Sequence, residues 1–259
     1  MEEFESIHTA HPKDVSVSVL LGYTYIKAEK EAQAAQLLQP IEGGNEGNTQ
    51  LEYVLAYSLI RSGKAAEGLP RMERVALATH SADPYLIAGS ARFYGGQMGL
   101  ARADLDEAVK LNPSLPGLQT LAGQARYFMK DMPGATDAFE AALHADPMDF
   151  VANRDLGAMR LQQGDLENAK PLLELALQLH PTDPLTRIEI AKVNDAMGKY
   201  AEAAAILEDL VKAEPNWRDA HWVLANVYSE LNRQEDGRRE RAIAQQIEAR
   251  QKLEAPPNK

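Results

Sequence analysis

The sequence predicts an all-α protein, an α-solenoid of about six to seven helix-turn-helix repeats closed by a C-terminal capping helix. Three observations predict it. Pro113, Pro147, Pro181 and Pro215 are separated by three identical steps of 34 residues, the length of a two-helix unit. With those prolines at position 32 of each unit, small residues recur at position 8 (Gly89, Gly123, Gly157, Ala191, Ala225) and at position 20 (Ala101, Ala135, Ala169, Ala203). Position 24 is large and apolar (Leu105, Phe139, Leu173, Leu207). Two helices approach closely only where neither carries a bulky side chain, and the large residue fills the space beside that contact. Composition agrees: the chain is 45% hydrophobic but only 6% aromatic, and its recurring Ala and Leu favour close-packed helices over a sandwich rich in Val, Ile and Thr.

The elements follow in order. Counted backward from the first full repeat, Phe4 falls at position 24, Ile7 at 27 and Pro12 at 32, so residues 1–14 read as the remnant of a truncated repeat, a second helix without its first. The tandem array spans 15–232, with repeats starting near 15, 49, 82, 116, 150, 184 and 218. The first carries Gly22 and Ala34 at the small positions, with Pro40 inside its second helix and "EGGNEGN" in place of the proline turn. The next has Ala56, Gly68 and Met72 in register and is one residue short. Later turns carry clear punctuation: Gly164 takes a positive φ, Asp165 caps the following helix, and Asp131 before Pro133 is a helix start. Residues 233–259 form a capping helix and a tail. "RRERAIAQQIEARQKLE" sets Ile243 and Ile247 on one face and charge elsewhere, and "APPNK" is expected to fray.

Composition also bounds function. A formal charge of −11 repels phosphate backbones, which excludes nucleic acid as the expected partner. No stretch reaches the roughly 18 apolar residues of a spanning helix, so direct membrane insertion is not expected. The opening "MEEFESIHTAHPKD" is acidic with no apolar stretch after it and is not an export signal. The reading is a soluble chain, cytoplasmic or exported after removal of an N-terminal segment not present here. The absence of cysteine removes disulfides, thiolate catalysis and cysteine-ligated zinc. No pair among the six histidines has metal-ligand spacing, and "GGNEGN" and "YGGQMG" lack the Lys and Ser or Thr of a phosphate loop. No cofactor, metal or enzymatic activity is expected. Acidic pairs such as Asp104 with Asp106 read as a solvated helix face.

Leu156, Gly157, Ala169, Leu173 and Pro181 together resemble the signature of the tetratricopeptide repeat (TPR) family. The tyrosine column of that signature is kept only by Tyr25 and Tyr228, and it holds Arg92, Arg126, Arg160 and Asn194 elsewhere. The resemblance implies a right-handed superhelix in which positions 2, 5, 9, 12 and 13 of each first helix line a concave groove. It then places Tyr23, Ile26, Tyr53, Tyr57, Ile60, Leu86, Phe93, Tyr94, Tyr127 and Phe128 toward that groove, with Arg154, Lys192, Trp222 and Asn226 in the later repeats. Tyr57, Phe93 and Tyr127 stand in successive units and are expected to form a row. Phe93 and Phe128, at positions 12 and 13, can also serve packing between first helices. No repeat carries the Lys at position 5 and Asn at position 9 with which some family members grip a C-terminal carboxylate. The function implied is a non-enzymatic scaffold or adaptor that holds a peptide or helix of another protein in the groove. The alternative is a structural segment of a larger TPR assembly, or self-association through the same face.

Overall fold

The computed structural model describes residues 2–254, so the tail expected to fray, Ala255–Lys259, lies outside the described residues. Those residues form fifteen α-helices and no strand. The chain divides into two compact units, Met1–Ala138 and Phe139–Lys259. The first contains α1 (Glu2–Ala10), α2 (Val15–Lys27), α3 (Glu31–Leu38) with a 3-10 turn over Gln39–Ile41, α4 (Thr49–Arg61), α5 (Ala65–Thr79), α6 (Ala82–Tyr94), α7 (Met98–Leu111) and α8 (Leu118–Phe128). The division falls within α9 (Met132–Ala145). The second unit continues with α10 (Phe150–Gln162), α11 (Leu166–Leu179), α12 (Pro184–Ala196), α13 (Tyr200–Ala213), α14 (Arg218–Glu230) and α15 (Gln234–Glu254).

Short polar side chains start many of these helices by accepting hydrogen bonds from otherwise unpaired backbone N–H groups. Asp14 accepts from Ser16 N at 2.9 Å, Asn48 from Leu51 N at 3.1 Å, Asp149 from Ala152 N at 2.9 Å and Asp183 from Thr186 N at 2.7 Å. Asp131 and Asp165 do the same for α9 and α11, through Gly134 N and Asn168 N. Gly164, in the turn before Asp165, has φ +77°, the left-handed region that glycine enters without a Cβ penalty. Pro40 lies in the 3-10 turn, beyond the last residue of α3.

In each unit a helix packs on its neighbours in sequence, and first helices also touch: α2 with α4, α4 with α6 and α6 with α8 in one unit, α10 with α12 and α12 with α14 in the other. Contacts confined to adjacent repeats are those of a solenoid. The small positions set the spacing. A Cβ on Gly157 would stand 2.7 Å from Leu173, one on Gly89 2.8 Å from Leu105, and one on Gly68 2.7 Å from the Ala56 carbonyl. Leu38, Met72, Leu105, Leu173 and Leu207 fill the adjoining space and are wholly buried.

The substituted tyrosine column has a physical account. Tyr25 donates its hydroxyl to Glu5 at 3.1 Å and Tyr228 to Glu208 at 2.7 Å, each reaching back 20 residues to the preceding second helix. Arg126 reaches Asp106 and Arg160 reaches Glu140 over the same 20-residue step, both at 2.6 Å. Arg92 reaches Glu73 over 19 residues, after the repeat that is one residue short. Arginine therefore replaces the phenol while keeping its acceptor, and a charge-assisted bond replaces a neutral donor.

Two readings of the sequence are corrected, the first being Pro40, which stands in the 3-10 turn and not inside the second helix of its repeat. Asp104 is not on a solvated face: it is 8% exposed and pairs with Arg92, because α7 turns it toward α6, whereas Asp106, two residues on, meets Arg126. Burial pushes the Asp104 carboxyl up, and the Arg92 hydrogen bond and charge pull it back only in part. On α15 Ile247 is buried and Ile243 half-buried on one helix face, as the sequence predicts, and Ala244 and Gly237 are buried beside them.

Candidate functional site

The exposed face of the first helices in the first unit carries a continuous line of rings. Phe93, at the end of α6, is 8% exposed and belongs to the core with Leu105, Leu121 and Ala125. It supports two exposed rings edge-to-face: Tyr94, with centroids 5.3 Å apart, and Phe128 of α8, 5.6 Å away. Phe128 in turn meets Tyr127 at 6.0 Å, and the Lys130 ammonium stands 5.9 Å from the Tyr127 ring. Such edge-to-face contacts are the favoured geometry for aromatic pairs. Tyr94 is 78% and Phe128 57% exposed, which is a large apolar area for two side chains on one supporting ring.

Beside Tyr94 lies a cleft of about 480 Å³ between α4, α6 and the start of α8, lined by Tyr57, Ile60, Arg61, Leu86, Ser90 and Tyr94 among others. Tyr57 and Tyr94 thus face one space. Arg61 and Ser90 are additions from the structure. They occupy positions 13 and 9, groove positions in the repeat, but a search for aromatic side chains passes over them. The exposed Arg61 guanidinium lies 3.6 Å from Glu31. It places a cation, paired with Glu31, beside a mainly apolar cleft.

Nearer the N-terminus, Tyr53 donates its hydroxyl to Asp83 on α6. Burial and that carboxylate push the Tyr53 phenol far up, and Tyr23 is raised by burial and by the charge of Asp83, so both stay neutral hydroxyls at ordinary pH. Tyr53 thereby ties α4 to α6, and Tyr23 lies on α2 beside Phe4, Leu20 and Thr24.

In the second unit the polar residues singled out from the sequence have partners within the chain. Arg154 donates from Nε to Asp155 at 2.7 Å and lies 5.3 Å from the Phe150 ring. Lys192 donates to Glu189 at 2.8 Å. Arg241 of α15 reaches both Trp222, 5.9 Å from its ring, and the Asn226 side-chain oxygen at 3.5 Å. Among the described residues no helix is long and apolar enough to cross a membrane, and no group of three or more His, Asp or Glu side chains converges as a metal site requires.

Two tetratricopeptide repeat family models match the sequence, over residues 120–184 and 160–227, and their matches meet the helix pairs α8 to α14 described above. The chain is a tetratricopeptide repeat protein. Its fold recurs in solved TPR structures. A chain in the crystal structure of the APC/C hetero-tetramer Cut9-Hcn1 superposes with a TM-score of 0.66 at 20% identity, covering 86% of this TPR protein and 45% of that chain. The TPR protein described here thus spans less than half the length of that neighbour. YrrB, described as a TPR protein with an unusual peptide-binding site, superposes at 0.58 with 21% identity, over 68% of this chain and 91% of that one. MamA 41-end from Desulfovibrio magneticus RS-1 gives 0.58 at 19% identity, over 66% and 96%. Comparison with curated protein sequences finds no match.

Proposed function

We propose that this TPR protein is an interaction scaffold that holds a peptide or helical segment of another protein along the first-helix face of its first unit. One observation carries the reading: Tyr94 and Phe128 stand exposed on a buried Phe93 support, beside the cleft that Tyr57 and Tyr94 share. Large rings already placed against a buried support bring much apolar area to a contact, which makes them effective anchors. Arg61 at the cleft edge is 61% exposed and only loosely paired with Glu31 at 3.6 Å, so a ligand carboxylate can take that partner's place. The roles of Arg154, Lys192, Trp222 and Asn226 are secondary in this reading, because each is engaged within the chain. The peptide-binding site named for YrrB is in keeping with this use of the fold.

Affinity capture with the wild-type chain and with a Tyr94→Ala/Phe128→Ala variant tests the proposal. A partner recovered with wild type and lost with the variant, at unchanged helical content and melting temperature, is the expected result. Identical capture by the two proteins contradicts it.

A further inference from the structure

We infer that the segment held on the first-helix face of the first unit is acidic and that Lys130 selects it, an inference that rests on the scaffold reading above. A row of neighbouring groups runs from Arg61 on α4, in the cleft that Tyr94 also lines, through Tyr94, Phe93, Phe128 and Tyr127 to Lys130, just past the end of α8. A cation therefore stands at each end of the row, and no acidic side chain lines the cleft. In a chain of formal charge −11 this is a local reversal of sign, and it favours a ligand that brings carboxylates over one that brings Lys or Arg. Both cations are open to such a ligand. Lys130 is exposed and makes no ion pair among the described residues; the carboxylate next to it, Asp131, is engaged by Arg102 at 3.0 Å and caps α9 through Gly134 N. Arg61 is 61% exposed and its partner Glu31 only 17%, so a ligand meets the arginine first.

The backbone at Lys130 gives an independent reason to assign it a task. Position 15 turns the chain between the two helices of each repeat, and its φ is positive in every repeat of the array. Glycine holds it at Gly63, Gly96, Gly164 and Gly198, and Asn232, a type that tolerates this region, holds it in the last repeat. Lys130 takes φ +65° there, which costs a residue with a Cβ free energy that glycine does not lose. Glu29, at +56°, is the other long side chain so placed, one repeat before the cleft. A strained side chain where glycine would serve points to a use for that side chain. At Lys130 it carries the ammonium that ends the ring row. The row also sets a length. α4 touches α6 and α6 touches α8. Packed helices lie roughly 8–10 Å apart, so the two cations stand roughly 16–20 Å from one another, a span that an extended segment covers in about five or six residues. The ligand is thus an apolar core on the rings with a carboxylate on each flank.

Selection of a random peptide library on the full wild-type chain, and separately on Arg61→Glu/Lys130→Glu, tests this. Peptides recovered on wild type are expected to flank an apolar core with Asp or Glu, and those recovered on the variant to carry Lys or Arg there instead. The tightest acidic peptide is then titrated by calorimetry. Changing its carboxylates to amides is expected to weaken binding by about tenfold, and Lys130→Gly by about fivefold, the range of an exposed ion pair. Lys130→Gly is also expected to leave the melting temperature unaltered or raised, because glycine adopts this backbone freely. A lysine that served only the fold would give the reverse, a lower melting temperature at unchanged affinity, and that result overturns its role. Wild-type peptides with no acidic enrichment, whose binding is still lost in Tyr94→Ala/Phe128→Ala, overturn the inference and leave the scaffold reading standing. Peptides that bind Tyr94→Ala/Phe128→Ala as tightly as wild type, or a library that yields no binder, overturn both.

Discussion

Gly157 has no room for a side chain. Its nearest neighbours are Leu173 and the Ala169 carbonyl, and a Cβ would come within 2.7 Å of the first. Gly157→Leu is expected to overpack this contact and cost about 1–3 kcal/mol or more, read as a lower midpoint in urea with an unchanged slope. Asp104 and Asp106 give a second contrast at this scale. Asp104→Ala removes one of the two acid partners of the Arg92 guanidinium, a side chain only 11% exposed whose Nε already lacks a partner, and leaves it Glu73 alone. That substitution should cost about 1–3 kcal/mol. Asp106→Ala, which loosens a more exposed pair, should cost about 1 kcal/mol or less by the same measurement. The glycine was legible in the sequence because a tight contact recurs every 34 residues and admits only small side chains. The burial of Asp104 was not, because it depends on an arginine twelve residues earlier on another helix.

At the scale of elements, the helices and many of their caps follow from local chemistry: an Asp or Asn before the first turn and an apolar stripe at helical spacing. The ladder from five of the first helices to the preceding second helix was harder to read, since arginine in a tyrosine column looks like a lapse until the acid about 20 residues back is found in space. The segment after the 3-10 turn depends on one ion pair. Arg71 on α5 grips Glu42 with both prongs, at 2.9 and 2.8 Å. The Arg71 hydrogen bond holds the Glu42 carboxyl below its usual value. Because the folded value is lowered, this stabilisation is present above the ordinary glutamate pKa of about 4.3 and is lost as pH falls through the folded value. Thermal melts of wild type and Glu42→Gln should therefore differ most near neutrality, by about 1 kcal/mol or less for so exposed a pair, and converge toward pH 3. A gap that widens on acidification would contradict the assignment.

Over the whole molecule, a repeated scaffold makes every first helix offer the same positions, and side-chain choice alone distinguishes them. The family resemblance therefore pointed to Tyr23, Tyr53, Tyr57, Phe93, Tyr94, Tyr127 and Phe128 as one set, but their uses differ. Tyr53 is engaged by Asp83 thirty residues away, and Phe93 is a buried support. Exposure is concentrated in Tyr94 and Phe128. Column position shows which way a residue points, and only the neighbouring repeats decide whether anything already covers it. The central claim is that these exposed rings, with Tyr57, anchor the partner. The most direct measurement is calorimetry of a peptide selected by display against the wild-type chain, repeated with Tyr57→Ala, Tyr94→Ala, Phe128→Ala and the exposed control Glu167→Ala. The account predicts a loss of about tenfold or more for at least two of the three ring truncations, since a real anchor is worth about 2 kcal/mol, and no change for Glu167→Ala. Wild-type affinity in all three ring variants, with binding abolished by charge reversal at Arg154 or Lys192, would contradict it and move the site to the second unit.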